Sequence, residues 1–363
     1  AVVSNPEIEV VAEVMGGIHP AYEFVSQALA AGKHVVTANK DLIASDHGHL
    51  MEVAKEHGCD LMFEAAVAGA IPVITPLKQS LAANHLTEVM GIVNGTTNFI
   101  LTKMAQEGME FSEALALATE LGYAEADPTA DVEGLDAARK VAILASIAFN
   151  SRVSFEDVST EGITGITAND IRYAKEMGCC IKLIGMAHSE GEGIEAYVAP
   201  MLIPLGHPLS TVNDSYNAVF VRGDAVDNAM FLGRGAGELP TASAVAGDVF
   251  EVMRNLVHGC CGRVSCTCYK ELPLVPMEEV RSRYFLRVLV EDKIGVLAMI
   301  ANEFAGHRVS VQQMIQKERI NDCAEIVVIT DRVCEGDFKK AVHCIAEKPN
   351  TRKVEAVIRV YGE

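Results

Sequence analysis

Short apolar runs and amphipathic stretches alternate along the first seventy residues. The run Glu9-Val10-Val11-Ala12-Glu13-Val14-Met15 predicts a strand ending at Gly16-Gly17, and Pro20 to Ala31 predicts a helix closed by Gly32. His34 to Asn39 predicts a second strand and Asp60 to Val67 a third. Between them Ser45 to His57 predicts a second helix, with Ser45 in the N-cap position. Strands alternating with helices predict βαβ units, hence a parallel sheet and an α/β class. Ligands of such sheets gather at the carboxyl ends of strands, which here carry Gly16-Gly17, Asn39-Lys40 and Ala68-Gly69. Tight strand-to-helix turns also need glycine with no ligand present, so the pattern marks a place and not a chemistry.

Beyond Leu86 the rhythm changes. Thr87 to Val93 predicts a strand running into Asn94-Gly95-Thr96-Thr97-Asn98 and a helix to Gln106. Ser112 to Leu121 predicts a helix capped by Ser112, Gly122 to Pro128 a loop, and Val132 to Phe149 one long helix. Residues 151–230 mix glycine, proline and short strands (Ile194 to Val198, Ala218 to Arg222), as in a more antiparallel second sheet. Thr241 to Val257 predicts a helix, and His258 to Pro276 a linker rich in Cys, Gly and Pro. From Tyr284 a separate unit follows: strand to Val290, helix Val296 to Ala305, strands Ser310 to Gln316 and Ala324 to Thr330. Helix Gly336 to Ala346 and strand Val354 to Tyr361 complete it. That order is βαββαβ, the ferredoxin-like arrangement.

Composition narrows the function. At 363 residues the chain is too long for one ordinary core and predicts two or three domains. Half its residues are apolar, which excludes wholesale disorder. With 30 Lys+Arg against 49 Asp+Glu the net charge is −19, which disfavours nucleic acid or an anionic membrane as the main partner. No apolar run approaches the ~18 residues of a membrane span. Ten cysteines without a small secreted framework predict reduced thiols and a cytoplasmic setting.

The densest polar cluster is Gly122-Tyr123-Ala124-Glu125-Ala126-Asp127-Pro128, followed by Asp131, Glu133, Asp136, Arg139 and Lys140. Asp136 and Lys140 are four apart on a predicted helix and share a face, either as an exposed ion pair or as part of a closed site. In a closed site the Lys140 ammonium protonates a carbonyl oxygen while Asp136 and Glu125 bind a substrate cation. Periodicity does not choose between these. Lys40 alone reads as a solvated loop lysine, and Glu64 as the cap of a helix begun near Pro72. Gly233-Arg234-Gly235-Ala236-Gly237 before a helix is either a turn or a set of N–H groups for an anion. His258, Cys260, Cys261, Cys266 and Cys268 invite a zinc reading, but their CC and CxC spacing lacks the paired CxxC of such sites.

Five stretches occur in order: Glu13-Val14-Met15-Gly16-Gly17, Thr37-Ala38-Asn39-Lys40, Glu64 to Pro72, Gly91 to Asn98, and Gly122 to Lys140. Together they resemble homoserine dehydrogenases of the bacterial type with a C-terminal ACT domain, over nearly the whole chain. The resemblance implies a partial Rossmann-type parallel sheet in residues 1–70, with helix 241–257 packing back on it. It further implies an α+β substrate-binding and dimerisation domain over 71–257, a linker over 258–283 and a ferredoxin-like ACT domain over 284–363. The implied reaction is reduction of L-aspartate 4-semialdehyde to L-homoserine, on the route to threonine and methionine, with NADP or NAD as cofactor.

By the same resemblance Lys140 is the acid/base at the substrate oxygen, and Glu125 and Asp136 hold the amino-acid substrate. Lys40 lies between nicotinamide and substrate. Gly16, Gly17, Lys40, Gly122, Gly235 and Gly237 contact the cofactor, and Glu64, Val67, Gly69 and Ile71 hold Na⁺. The chemistry is consistent: hydride delivered to an aldehyde makes an alkoxide, which needs a proton or a nearby cation. The family's GxGxxG turn precedes the first of these motifs and occurs nowhere here, so at least one βαβ unit of ~30 residues is expected to be missing. The ACT resemblance implies an amino-acid effector, threonine being expected, and pairing into a homodimer or homotetramer. In its Asp292-Lys293-Ile294-Gly295-Val296-Leu297 turn, Ile294 stands where that family has proline. A purely structural ACT unit is the alternative for that domain. For the whole chain the alternative is an amino-acid sensor with a disabled dehydrogenase module, which titration with NADPH distinguishes.

Overall fold

The computed structural model describes residues 1–320 and 322–362, with the backbone alone for residues 46, 47 and 317–320. A three-stranded parallel sheet opens the chain, β1 (Val10–Glu13), β2 (His34–Thr37) and β3 (Leu61–Met62), in that order. Helices α1 (Ala21–Ala30) and α2 (Lys40–Glu56) connect these strands. Two expectations change here. Helix α2 begins at Lys40 and not near Ser45, because Asn39 at the end of β2 caps it by accepting the Leu42 N–H at 3.1 Å. The third strand stops at Met62, and Glu64–Ala66 forms a single tight turn.

After a short wide helical turn at Pro76–Ser80 come β4 (Leu86–Ile92), α3 (Gly95–Glu107) and α4 (Phe111–Glu120). The cap of α4 is Glu110, in a reciprocal box with Glu113, and not Ser112. The expected single helix from Val132 is broken by Gly134 at φ +82°, giving α5 (Thr129–Val132) and α6 (Leu135–Phe149). Then follow β5 (Ser159–Thr160), α7 (Ala168–Glu176), β6 (Cys179–His188), β7 (Glu195–Pro204), β8 (Tyr216–Gly223), β9 (Asp227–Arg234) and α8 (Glu238–His258). Neither helix α7 nor strand β6 shows in the sequence pattern.

The C-terminal residues form β10 (Arg281–Glu291), α9 (Val296–Gly306), β11 (Val311–Ile320), β12 (Cys323–Thr330), β13 (Val333–Cys334), α10 (Glu335–Ala346) and β14 (Thr351–Val360). Strand order β11-β12-β10-β14 is that of a ferredoxin-like sheet. It was expected to stand apart. Instead β14 pairs in parallel with β7 through Arg359 and Val360 opposite Met201 and Leu202, so one sheet runs on through β6, β4, β8 and β9.

Helix α6 is the pivot of the fold. It packs on α2 on one side and on β4, β6 and β7 on the other. A helix gripped from both sides must be apolar nearly all round, and its sequence, rich in Ala, Ile, Leu and Val, is buried along almost its whole length. Charged residues within that stretch are therefore conspicuous. Asp136 and Lys140 are buried, and Arg139 is half-buried. Helix α8 packs back on β1 and β2.

Candidate functional site

The carboxyl ends of β1 and β2 are joined before any site residue is reached. Thr37 donates its hydroxyl to Glu13 at 2.6 Å and accepts the Asn39 N–H at 2.9 Å. The Asn39 amide donates to the Gly17 carbonyl at 2.6 Å, which fixes the exposed Gly16-Gly17 turn beside the start of α2. Lys40, in the first turn of α2, thereby points across to α6. Arg139 on α6 closes the same junction by an ion pair of 2.6 Å with Asp41.

Asp136 is the centre of what they meet. Its Oδ2 takes the Lys140 ammonium at 2.7 Å and the Asn94 amide at 2.8 Å, and its Oδ1 takes Lys40. Lys140 also donates to the Val93 carbonyl at 2.7 Å. Asn94 reaches Asp131 on α5 at 2.6 Å, and its own Oδ1 caps α3 through the Thr97 N–H. Burial alone raises the Asp136 carboxyl, but the Lys140 and Lys40 ammoniums outweigh it and hold it well below the usual carboxylate range. Burial likewise opposes the charge on Lys40, and the adjacent Asp136 carboxylate more than reverses that, so its pKa is raised. Asp131 goes up, chiefly by burial. Two ammoniums on one carboxylate, at the carboxyl ends of β2 and β4, form a proton-holding centre beside carboxylates able to receive a substrate ammonium.

Of the four residues expected to hold Na⁺, Glu64 is engaged otherwise. The Glu64 carboxylate accepts the N–H groups of Val73, Ile74 and Thr75 at 2.6–2.8 Å, so it caps the chain entering the Pro76–Ser80 turn. Among the described residues, no hydrogen bond reaches the carbonyl oxygens of Val67, Gly69 or Ile71. These three residues are buried, and hard carbonyl oxygens left without donors fit a monovalent cation; the Glu64 carboxylate, already engaged three times, fits less well. The Gly235-Gly237 turn lies against that loop: Ala70 donates to the Arg234 carbonyl at 3.2 Å, and a Cβ at Gly69 would stand 2.6 Å from Gly235. Gly237 begins α8.

Gly122 and Glu125 lie on an exposed loop, tied to the start of α3 by the Thr96 hydroxyl donating to the Tyr123 carbonyl at 2.6 Å. None of the described hydrogen bonds or ion pairs joins Glu125 to Asp136 or Lys140. Asn94, Asp131 and the Asp41–Arg139 pair join the site without having been assigned a role. Asn94, a capping residue at a strand end ahead of the acidic cluster, was the signal for two of them. Among the described residues of the cysteine-rich linker, only Cys261 has potential metal ligands gathered around it, and they are His34 and Asp60 rather than its neighbouring cysteines. Among the described residues no disulfide joins any of the ten cysteines.

Comparison with known proteins decides the family. Residues 72–250 match the family model described as homoserine dehydrogenase, residues 1–64 that of the homoserine dehydrogenase NAD-binding domain, and residues 284–348 the ACT domain. A homoserine dehydrogenase of Corynebacterium glutamicum is 48% identical over 99% of this chain and 82% of its own. The chain belongs to the homoserine dehydrogenase family. A crystal structure of a homoserine dehydrogenase from Thiobacillus denitrificans superposes with a TM-score of 0.94 at 41% identity, covering 99% of this chain and 83% of that one. A hyperthermophilic archaeal homoserine dehydrogenase mutant, solved in complex with NADPH, matches at 30% identity and a TM-score of 0.62, over 70% of this chain and 74% of that one. The protein is thus a dehydrogenase with a nicotinamide cofactor and an ACT domain, and its α/β architecture is that of the family. Among the described residues no helix is long and apolar enough to cross a membrane.

Proposed function

We propose that the protein reduces L-aspartate 4-semialdehyde to L-homoserine, with Lys140 as the acid that protonates the nascent alkoxide. The observation that carries this reading is the seating of Lys140 and Lys40 on opposite oxygens of the buried Asp136 carboxylate. Of the three Lys140 ammonium protons, Val93 and Asp136 take two, and the third serves a substrate oxygen. Asp136 orients the Lys140 ammonium, and Lys40 adds positive charge where the alkoxide forms. Asp136, aided by Asp131 and by Glu125 from its loop, receives the substrate ammonium. The nicotinamide cofactor, NADP or NAD, supplies the hydride from its reduced form. Gly16, Gly17, Gly122, Gly235 and Gly237, with Lys40, are the groups proposed to meet it.

The same reading gives the Val67, Gly69 and Ile71 carbonyls, above the Glu64 cap, a Na⁺ ion. It gives the ACT domain an amino-acid effector, threonine being the expected one, in the cavity of about 570 Å³ lined by the Glu291–Leu297 turn, Gln316 and Ile326. Pairing of ACT domains makes the working form a homodimer or homotetramer, and cysteines not joined in disulfides suit a cytoplasmic enzyme. Replacing Lys140 with alanine tests the central assignment. Aldehyde reduction is expected to fall about 10²–10⁴-fold while NADPH still binds; turnover near that of the parent would exclude Lys140 as the acid.

A further inference from the structure

Two buried arginines bind the ACT domain to the rest of the chain, and one of them leads to the active site. Arg359 on β14 lies between the rings of Tyr197 and Tyr284, at 5.1 and 5.9 Å from their centres, and is only 3% exposed. Its Nη2 meets Glu335 of α10 at 2.7 Å, within the ACT domain. Its Nη1 crosses to Glu161 at 2.9 Å, just past β5. Glu161 is anchored there by its own N–H on the Val198 carbonyl of β7 at 2.7 Å.

The next three residues press on the corner that carries the site. Ile163 donates its N–H to the Val132 carbonyl at 2.8 Å, and Thr164 meets Glu133 at 3.3 Å. At Gly162 there is no room for a side chain: a Cβ would stand 2.3 Å from the Val132 carbonyl oxygen and 2.7 Å from the Glu133 Cα. Val132 closes α5 and follows Asp131; Gly134 opens α6 and precedes Asp136 by two residues. One contact from the ACT strand to Glu161 and one backbone contact from Ile163 to Val132 therefore connect the regulatory domain to both site carboxylates.

We propose that Arg359 is a positioning residue for the Asp131–Asp136 corner, acting through Glu161 and the Gly162-Ile163 backbone. This rests on the assignment of that corner to the amino-acid substrate. The guanidinium holds Glu161 against β7, the 161–163 segment holds the end of α5, and α5 with Gly134 sets where Asp131 and Asp136 stand. A displacement of β14 by an ACT ligand would reach the substrate carboxylates by this route before it reached the cofactor side.

The test uses the intact chain and the Glu161→Gln variant, whose half-exposed side chain allows substitution without leaving a buried charge alone. Its KM for the aldehyde, and the Kd of L-homoserine by calorimetry, are expected to rise about 2- to 30-fold, with kcat, cofactor KM and thermal midpoint held. Arg359→Lys should act in the same direction, and the Glu161→Gln/Arg359→Lys pair should exceed neither single change, because both remove one contact. Glu161→Asp should recover part of the loss. Homoserine affinity unchanged in Glu161→Gln, with Lys140→Ala inactive, overturns the coupling and leaves the site reading intact. Activity surviving in Lys140→Ala instead removes that reading. A uniform fall of kcat together with thermal midpoint marks a merely structural contact and also overturns the proposal.

Discussion

Lys140 and Asp136 stand one turn apart on α6 with Nζ 2.7 Å from Oδ2, and the remaining oxygen of that carboxylate belongs to Lys40 from another domain segment. A pair that sequence spacing allows on any exposed helix is here buried and shared. The carboxylate is thus the common reference for Lys140, the proposed acid, and for Lys40 at the end of β2.

Replacing Asp136 with asparagine should separate the two lysines and lower kcat/KM about 10²-fold, by misplacing both. It should also change acid stability. With the folded pKa held below the ordinary 3.8, the stabilisation from Asp136 is complete above that value and is lost as pH falls through the lower folded one. Denaturant titrations should therefore show a shallower loss of stability below about pH 4 in the variant than in the parent. Parallel curves would contradict the shared ion pair.

Asp248 on α8 titrates in the opposite sense. Burial, reinforced by the Glu64 charge, pushes its carboxyl up to about 7, although the Glu64 N–H donated to it at 2.9 Å opposes the rise. Its contribution to stability is full below the ordinary 3.8 and is lost as pH rises through about 7. Asp248→Asn keeps an acceptor for that N–H and removes the charge. At pH 8 it should be more stable than the parent by on the order of 2 kcal/mol, the difference vanishing near pH 4. Thermal unfolding at the two pH values reads this directly.

Lys182 is buried on β6, donating to the Val212 carbonyl at 2.6 Å, Asn98 at 3.0 Å and Asn213 at 3.2 Å. With no carboxylate among these partners, burial lowers its pKa from 10.5 to about 8. The penalty for holding it charged is complete below 8 and is relieved as pH rises towards 10.5, so stability gains in that window. Lys182→Met should lack the gain; an identical pH profile in both proteins would refute the assignment.

Glu64→Gln separates capping from cation binding. Loss of a charged acceptor for three N–H groups should cost about 1–3 kcal/mol in chemical denaturation. Because the proposed ion contacts are carbonyls, the variant should keep whatever dependence on Na⁺ the parent has. Turnover of the parent unaffected by thorough removal of Na⁺ and K⁺ would dismiss the ion.

The alternation that marks β1, α1 and β2, and the βαββαβ order of the last eighty residues, was legible because local periodicity carries it. Strand β6 escaped because it is buried along nearly its whole length, so it shows no apolar–polar alternation. Helix α7 escaped because its buried face includes Asp170, whose charge is met by Arg287 far along the chain. Ser45 and Asn39 are both capping residues, and only the end of β2 chooses between them. The site was partly legible. Asp136 and Lys140 share a helical face by spacing alone, whereas the reach of Lys40 across to them, and the Arg359–Glu161 contact, are long-range pairings with no local pattern.

The pairing of β14 with β7 also bears on how regulation in this enzyme can be loosened. Removing residues 284–363 would take from β7 the strand that pairs with Met201 and Leu202, and the Tyr361 N–H donated to the Leu202 carbonyl, baring that apolar stretch of sheet edge in the middle of the protein. Such an edge recruits other chains. An unregulated form made by truncation is therefore expected to precipitate, and one made by point substitutions along the seam to remain in solution.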